Sequence, residues 1–273
     1  MALFRDRALL LKRYPYGESS LVVHLCTREH GRVHVLARGA YRPTSRYFAI
    51  LDLFDELELE WSAHPGRELA DLRAGSILRR RRRPSADLGR YRAAVSVLEL
   101  AELASRPGEA DRALYDLVDG ALSALDAGGL AGDRGLVVFE LRFLQTLGLH
   151  PALDRCAACA GAAEPVTADR RRVAFSAGAG GRLCRACAVE ARASGRRVGT
   201  MPLQVLEDGS RLLALDEGAR AAFLAGLAQA RVDRIRDFTG RFLDYHLESQ
   251  PRTHRAFLAV ANRNAPDKAA EAL

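Results

Sequence analysis

The chain has 273 residues, 48% hydrophobic and 27% charged, with a formal net charge of +7; it is long enough to bury one large core or several small ones and too apolar for general disorder. Neither the opening MALFRDRALLLKRY, whose apolar run is four residues long, nor any later stretch matches a secretory leader or a membrane span, so a cytoplasmic protein with no membrane partner is expected. Only Lys12 and Lys268 are lysines among 41 basic residues, a compositional bias, so the placement of charge is more informative than its kind: residues 1–83 carry +6, 84–169 carry −6 and 170–197 carry +7. Two localised basic stretches fit a polyanion bound at particular places, or simply a solvated surface.

The first eighty residues alternate in the manner of strands at Ala8–Leu11, Leu21–Cys26, Arg32–Ala37, Tyr47–Glu60 and Leu69–Leu78. Pro15 to Glu18, His30-Gly31, Gly39 to Ser45 and His64 to Gly66 break them. Five short strands in about eighty residues predict a small β barrel of the OB type over 1–80. After Arg79 to Arg83 and Pro84 the spacing becomes helical: Tyr91, Val95, Leu98 and Leu103 form one apolar set, and Leu114, Leu117, Leu122 and Leu125 a second. Another helix is predicted from about Asp133 to a stop at Gly148. The helical pattern pauses over 151–199 and resumes near Pro202, closing with Val232, Ile235, Phe238, Phe242 and Leu247. The expected architecture is α+β multidomain: an N-terminal OB-fold barrel, then a helical domain built from 84–150 and 200–250 with 151–199 inserted into it. The tail 262–273 has little to bury and is expected to fray.

The strongest chemical signal is the inserted segment. Cys156-x-x-Cys159 and Cys184-x-x-Cys187 form two knuckles, each able to bring two thiolates to one tetrahedral ion, and together they make a closed four-sulfur Zn2+ site of structural type. A redox CxxC needs one pair and a βαβ context, which is absent; an iron–sulfur cluster and plain buried cysteines are the other readings. Cys26, alone in a predicted strand, is expected in the core. The insertion is also basic, with Arg170, Arg171, Arg172, Arg182, Arg185, Arg192, Arg196 and Arg197, either to touch phosphate or to keep a small module soluble.

The second signal is a set of cations around the barrel: Lys12, Arg13, Arg38, Arg42 and Arg46, followed by the run Arg79, Arg80, Arg81, Arg82 and Arg83. Neutralising several phosphates gives salt-sensitive binding with little sequence preference. For the run, docking against the acidic helices is the competing reading. Tyr14, Tyr16, Tyr41, Tyr47 and Phe48 lie nearby in sequence and can stack on unpaired bases, or serve as core and edge positions. His24 and His34 fall within predicted strands as isolated histidines, and His246 and His254 near the last helix lack a carboxylate pair. No GxSxG, HExxH or Walker A pattern occurs, so no catalytic residue is assigned and no enzyme is expected.

The residues also resemble a known family. Tyr16-Gly17-Glu18-Ser19-Ser20, Cys26-Thr27, Gly31 and Ala37-Arg38-Gly39-Ala40 with Arg42 and Ser45 look like the N-terminal signature of RecO proteins. Phe139-Glu140-Leu141-Arg142, Leu147-Gly148, Leu153-Asp154-Arg155-Cys156, Phe175-Ser176, Gly180-Gly181 and Leu183-Cys184 follow in that family's order. The resemblance spans about residues 5 to 250. It implies a barrel, a helical domain and, where the four cysteines are kept, a zinc module. It further implies a DNA repair role without bond chemistry: binding single- and double-stranded DNA, annealing complementary strands, and acting with RecR to assist RecA loading onto strands coated by single-strand-binding protein, in the cytoplasm at the nucleoid. Two other readings remain: a zinc-ribbon scaffold that docks acidic protein partners, and a metal-dependent hydrolase, which the closed cysteine set opposes.

Overall fold

The computed structural model describes residues 2–128, 132–162 and 171–247. Arg170, His254 and the tail 262–273 lie outside them. Packing divides the chain between Leu136 and Val137 into two compact units. The first helices therefore pack with the barrel, whereas the sequence pattern joined 84–150 to 200–250.

In the first unit β1 (Ala2–Tyr16), β2 (Ser20–Thr27), β3 (Gly31–Ala37), β4 (Glu56–Ala63) and β5 (Ala70–Arg79) close into a barrel of order β1-β2-β3-β5-β4. All neighbours are antiparallel except β3 and β5, which meet in parallel at Val35↔Ala70 and Leu36↔Asp71. This is the five-stranded OB arrangement. A register shift between Leu10 and Lys12 lets β1 bend and serve two partners: its first half pairs with β4, from Ala2↔Ala63 to Leu9↔Glu56, and its second half with β2. The interior is filled by Leu10, Leu21, Val23, Leu25, Val35, Leu57, Leu59 and Trp61, among others.

The fourth strand is shorter and later than its sequence pattern predicts. Residues 47–55 form turns rather than strand, and the segment between β3 and β4 folds over the barrel instead. Ala40 and Leu51 are buried in the barrel core, with Tyr47, Ile50 and Leu53 packed against it. That burial accounts for the apolar residues that read as a strand. Its ends are tied down by Tyr41 N–H to the Ser19 carbonyl at 2.9 Å and by Arg13 Nη1 to the Leu51 carbonyl at 2.6 Å.

Helices α1 (Arg83–Ala86), α2 (Leu88–Ala104) and α3 (Arg112–Ala127) follow. Asp87 and Asp111 cap α2 and α3, accepting from the backbone N–H of Arg90 and Leu114. The buried stripe of α2 is Ala93, Ala94, Val97, Leu98, Leu100 and Ala101, rotated from the predicted set; Tyr91 is exposed. Small residues on this stripe allow close approach. A turn at Arg106 to Glu109 meets the start of β3, where Gly31 has φ +67° and a side chain would collide with the Glu109 and Arg106 carbonyls.

The second unit contains most of α4 (Gly132–Thr146) with α6 (Leu203–Ala214), α7 (Glu217–Gly226) and α8 (Gln229–His246). Inserted among them, β6 (Arg172–Ser176), β7 (Gly181–Leu183) and β8 (Gly199–Pro202) form an antiparallel sheet of order β7-β6-β8, with α5 (Arg185–Ala193) between β7 and β8. Phe175 of β6 meets Phe238 and Phe242 of α8 edge-on, so the inserted sheet shares an aromatic core with the last helix. Arg220, buried, donates to the Leu212 and Leu215 carbonyls and satisfies the C-terminal end of α6. No helix among the described residues is long and apolar enough to cross a membrane.

Candidate metal centre and nucleic-acid interface

The first knuckle is positioned by backbone pairing with β7. Ala152 N–H donates to Gly180, Arg182 N–H to Ala152, and Ala157 N–H to Arg182, so the 152–157 segment runs along the strand that ends at Cys184. Cys156 N–H bonds the Gly161 carbonyl and closes the Cys156–Gly161 turn. Cys184 is the N-cap of α5, placing Cys187 one turn later on the same side. The sulfurs of Cys156, Cys159, Cys184 and Cys187 all lie within 4.8 Å of one another, with Cys159 and Cys184 Sγ 4.0 Å apart. A four-sulfur tetrahedron at about 2.3 Å from its ion has edges of about 3.8 Å, so small side-chain rotations complete it.

The donors are prepared for an ion. Cys184 N–H points at Cys156 Sγ at 3.3 Å, and Cys187 N–H at Cys184 Sγ at 3.5 Å, the backbone arrangement that favours thiolate. Burial pushes the Cys156 thiol up, but N–H groups of Cys184, Cys159 and Ala158 overcome it and bring it down to about 6. The neighbouring sulfurs of Cys184, Cys156 and Cys159 hold the Cys187 thiol up at about 12. Four sulfurs this close cannot all ionise without a cation between them. The site therefore fits a metal held by four protein sulfurs. Around it Leu183, Ala188 and Ala191 are buried with Cys156, and Arg182 is buried too, while most of the module's other described arginines are solvent-facing.

The barrel cations fall into two groups. Lys12, Arg13, Arg38, Arg42 and Arg46 are all exposed. Arg13 reaches Asp52 at 3.6 Å, Arg38 reaches Asp71 at 3.2 Å, and Arg46 donates to the Arg73 carbonyl at 2.7 Å; such exposed pairs are weak and exchangeable. Arg13 reaches the 38–55 segment, to which Arg38, Arg42 and Arg46 belong. Exposed aromatic rings accompany them: Tyr14, Tyr16, Tyr41 and Phe48, the last 70% exposed. Lys12 Nζ sits 4.9 Å above the Tyr14 ring. Tyr47 differs, since its ring packs on the barrel core and its hydroxyl donates to the Arg73 carbonyl.

The run Arg79 to Arg83 faces α3 instead. Arg81 has a wholly buried side chain that donates to the Phe54 carbonyl at 2.6 Å, to Ser123 Oγ at 2.9 Å and to Asp119. Its backbone N–H reaches Asp55 at 2.8 Å. No phosphate can reach this guanidinium in the folded unit. Arg79 pairs with Asp119 and Glu56, the N–H groups of Arg82 and Arg83 donate to Asp126, and Arg83 reaches the Ala127 carbonyl. Arg80 donates to the Ala49 carbonyl at 3.1 Å. The competing reading of the run, docking on acidic helices, thus describes most of its observed partners. The acids it meets are the Asp119 and Asp126 edge of α3 and, at the start of β4, Asp55 and Glu56.

With this geometry in place, most of the chain matches known sequences. Residues 1–81 match the family described as recombination protein O, N terminal, and residues 85–256 match recombination protein O, C terminal. The chain belongs to the RecO family. A RecO relative from Anaeromyxobacter sp. (strain Fw109-5), a DNA repair protein, is 36% identical over 239 residues, covering 88% of this chain and 89% of that one. RecO proteins are recombination mediators in DNA repair and not enzymes.

One cluster escapes the sequence patterns. His24 and His34, read as isolated strand histidines, stand opposite each other across β2 and β3 with ring centroids 3.7 Å apart, and Glu102 of α2 reaches His24 Nδ1 at 2.6 Å. The signal was present in the hairpin: a turn over Thr27 to Gly31 places 24 opposite 34 by register. What no local pattern could supply was Glu102, brought in by tertiary packing.

Proposed function

We propose that the chain is a recombination mediator that binds single- and double-stranded DNA on the barrel, anneals complementary single strands, and acts with RecR to assist RecA loading onto strands coated by single-strand-binding protein. The observation that carries the DNA part is the co-exposure of Lys12, Arg13, Arg38, Arg42 and Arg46 with Tyr14, Tyr16, Tyr41 and Phe48 around the capped barrel. Membership of the RecO family supports the repair role and the protein partners. Exposed guanidinium groups offset the repulsion between two phosphate backbones, and rings hold bases unstacked from each other while leaving their pairing edges free. Arg79, Arg80, Arg82 and Arg83 add positive potential at the barrel margin, with Arg81 serving the fold. We assign Zn2+ to the four cysteines as a structural cross-link between the 152–162 segment and α5, with no step of annealing passing through it.

The test is annealing of two complementary fluorescent oligonucleotides across a salt series, with and without single-strand-binding protein. Acceleration that fades with salt is expected. Arg38→Ala, Arg42→Ala and Arg46→Ala together flatten the salt slope for single strands by about 2, since each phosphate contact contributes about 0.7. No acceleration by folded, zinc-loaded protein turns the assignment toward a scaffold that docks acidic protein partners.

A further inference from the structure

The His24–His34–Glu102 cluster has the composition and the unmet valences of a second metal site, unrelated to the four cysteines. Its candidate ligand atoms all lie within 4.8 Å of one another. Two of its polar atoms, His34 Nε2 and Glu102 Oε2, are buried with no hydrogen-bond partner among the described residues. Buried polar atoms left without partners are costly, and with Arg32 Nε also unpartnered among the described residues beside Glu102, the two on this cluster mark a place where a group that engages both belongs. Glu102 Oε1 is already engaged by His24 Nδ1 at 2.6 Å, and Arg32 donates to the Glu102 backbone carbonyl at 2.7 Å. Arg32 therefore braces the helix end without using the free carboxylate oxygen, although its Nη1 also lies 4.0 Å from Oε1.

We infer that His24, His34 and Glu102 bind a divalent late first-row transition ion, of the Zn2+, Ni2+ and Co2+ class, which links strands β2 and β3 to helix α2. Two imidazoles and one carboxylate without thiolate suit these ions better than Mg2+ or Ca2+, which take oxygen ligands. His34 is in the ligand form, because burial, followed by the neighbouring His24, lowers its pKa and keeps the ring neutral. The ion takes the place of the His24 Nδ1 to Glu102 Oε1 hydrogen bond, and the proton of that bond passes to solvent. The rings, now stacked at 16°, turn about their Cβ–Cγ bonds so that the donors close to the roughly 3.0–3.4 Å spacing that metal bonds of about 2.1 Å impose. Other charges acting on the cluster are Glu68, which favours a dication, and Arg32, with Lys12 above the Tyr14 ring that edges His24, which oppose one. With one carboxylate ligand and no thiolate, this site is weaker than four thiolates. An ordinary His24–Glu102 ion pair is the competing account, and it requires no ion.

The experiment uses the full chain carrying one equivalent of Zn2+, titrated with Co2+ and followed by visible absorption and thermal melting. Entry at the cysteines produces a sulfur-to-cobalt charge-transfer band; entry at the histidine cluster produces only ligand-field bands. The expected result is ligand-field absorption that saturates at one further equivalent, with a rise in melting temperature, both lost in His34→Ala, His34→Gln and Glu102→Gln. The variants' melting temperatures without Co2+ establish that they fold. Wild-type protein that takes up no second equivalent, or folded variants that bind it as well as wild type, would overturn the site.

Discussion

Arg81 is the most constrained of the barrel-margin arginines. Its guanidinium is enclosed by Phe54, Asp119 and Ser123, and removing it leaves Asp119 facing a void with only the exposed Arg79 as its charge partner. Breaking a buried pair from one side costs about 3–5 kcal/mol, so Arg81→Ala is expected to lower the denaturant midpoint sharply while the surviving folded fraction binds DNA as before. Arg81→Lys should recover little, because one ammonium cannot replace a planar fork serving three acceptors at once. Cys26 makes a second point at this scale. Burial, with Asp111, Glu102 and Asp6 nearby, holds its thiol up at about 12 against an ordinary 9. Being raised in the folded state, this group lends its full contribution to stability below pH 9 and loses it as pH climbs toward 12. Native protein at pH 8 should therefore resist alkylation at Cys26, and mass spectrometry should find label there only after denaturant is added; rapid native labelling would contradict the burial.

The capping segment between β3 and β4 is where element-scale reasoning has most to say. It spends apolar Ala40 and Leu51 on the barrel core and presents Tyr41 and Phe48 outward. Tyr41→Ala and Phe48→Ala are expected to weaken single-stranded DNA binding by about 1–3 kcal/mol for each base stacked with little change in stability, measured by fluorescence anisotropy beside thermal melts. The same segment explains what the sequence could and could not reveal. β2, β3 and β5 were legible from alternation, and α8 from Val232, Ile235, Phe238 and Phe242. Residues 47–55 read as strand because YFAILDLFD is a mostly apolar run, and a loop that plugs a barrel carries such a run much as a buried strand does. The first six residues of β1 lie outside the alternating pattern, since Arg5 and Arg7 face outward beside exposed Ala2 and Leu3. The cysteine knuckles were fully legible from spacing, a property of local chain reach. The arginine run was visible as a run, but its partners on α3 lie some forty residues away and only packing discloses them.

Across the whole molecule the charge pattern resolves into two uses of arginine. Arg79, Arg81, Arg82 and Arg83 meet the acidic side of α3, and Arg28 and Arg32 also pack on helices, while Lys12, Arg13, Arg38, Arg42 and Arg46 stay open to solvent, so only part of the basic surplus is available to a polyanion. The four-cysteine cluster belongs to the other unit, and the consequences of an ion held there should stay in that unit. Chelation of the bound ion, or Cys184→Ser, is expected to speed hydrogen exchange at Cys156, Ala157, Arg182 and Ala188, whose amides hold the knuckles in place, while barrel amides of β1 to β4 keep their protection. Loss of protection throughout both units would show that the ion supports more of the chain than its own module.

The bent first strand has a consequence for how the polypeptide is born. β1 pairs with β2 along one half and with β4 along the other, and the ring closes only when β5 reaches β3. During synthesis the ribosome releases β1, β2 and β3 first, so a three-stranded sheet waits with both edges bare until residues 56–79 emerge. Open edges of that kind recruit other nascent chains. The segment made during the wait carries Arg38, Arg42 and Arg46, and like-charge repulsion among such tails keeps neighbouring chains apart. Substituting those arginines should therefore lower soluble yield at high expression as well as DNA affinity, because the same cations guard an unfinished barrel.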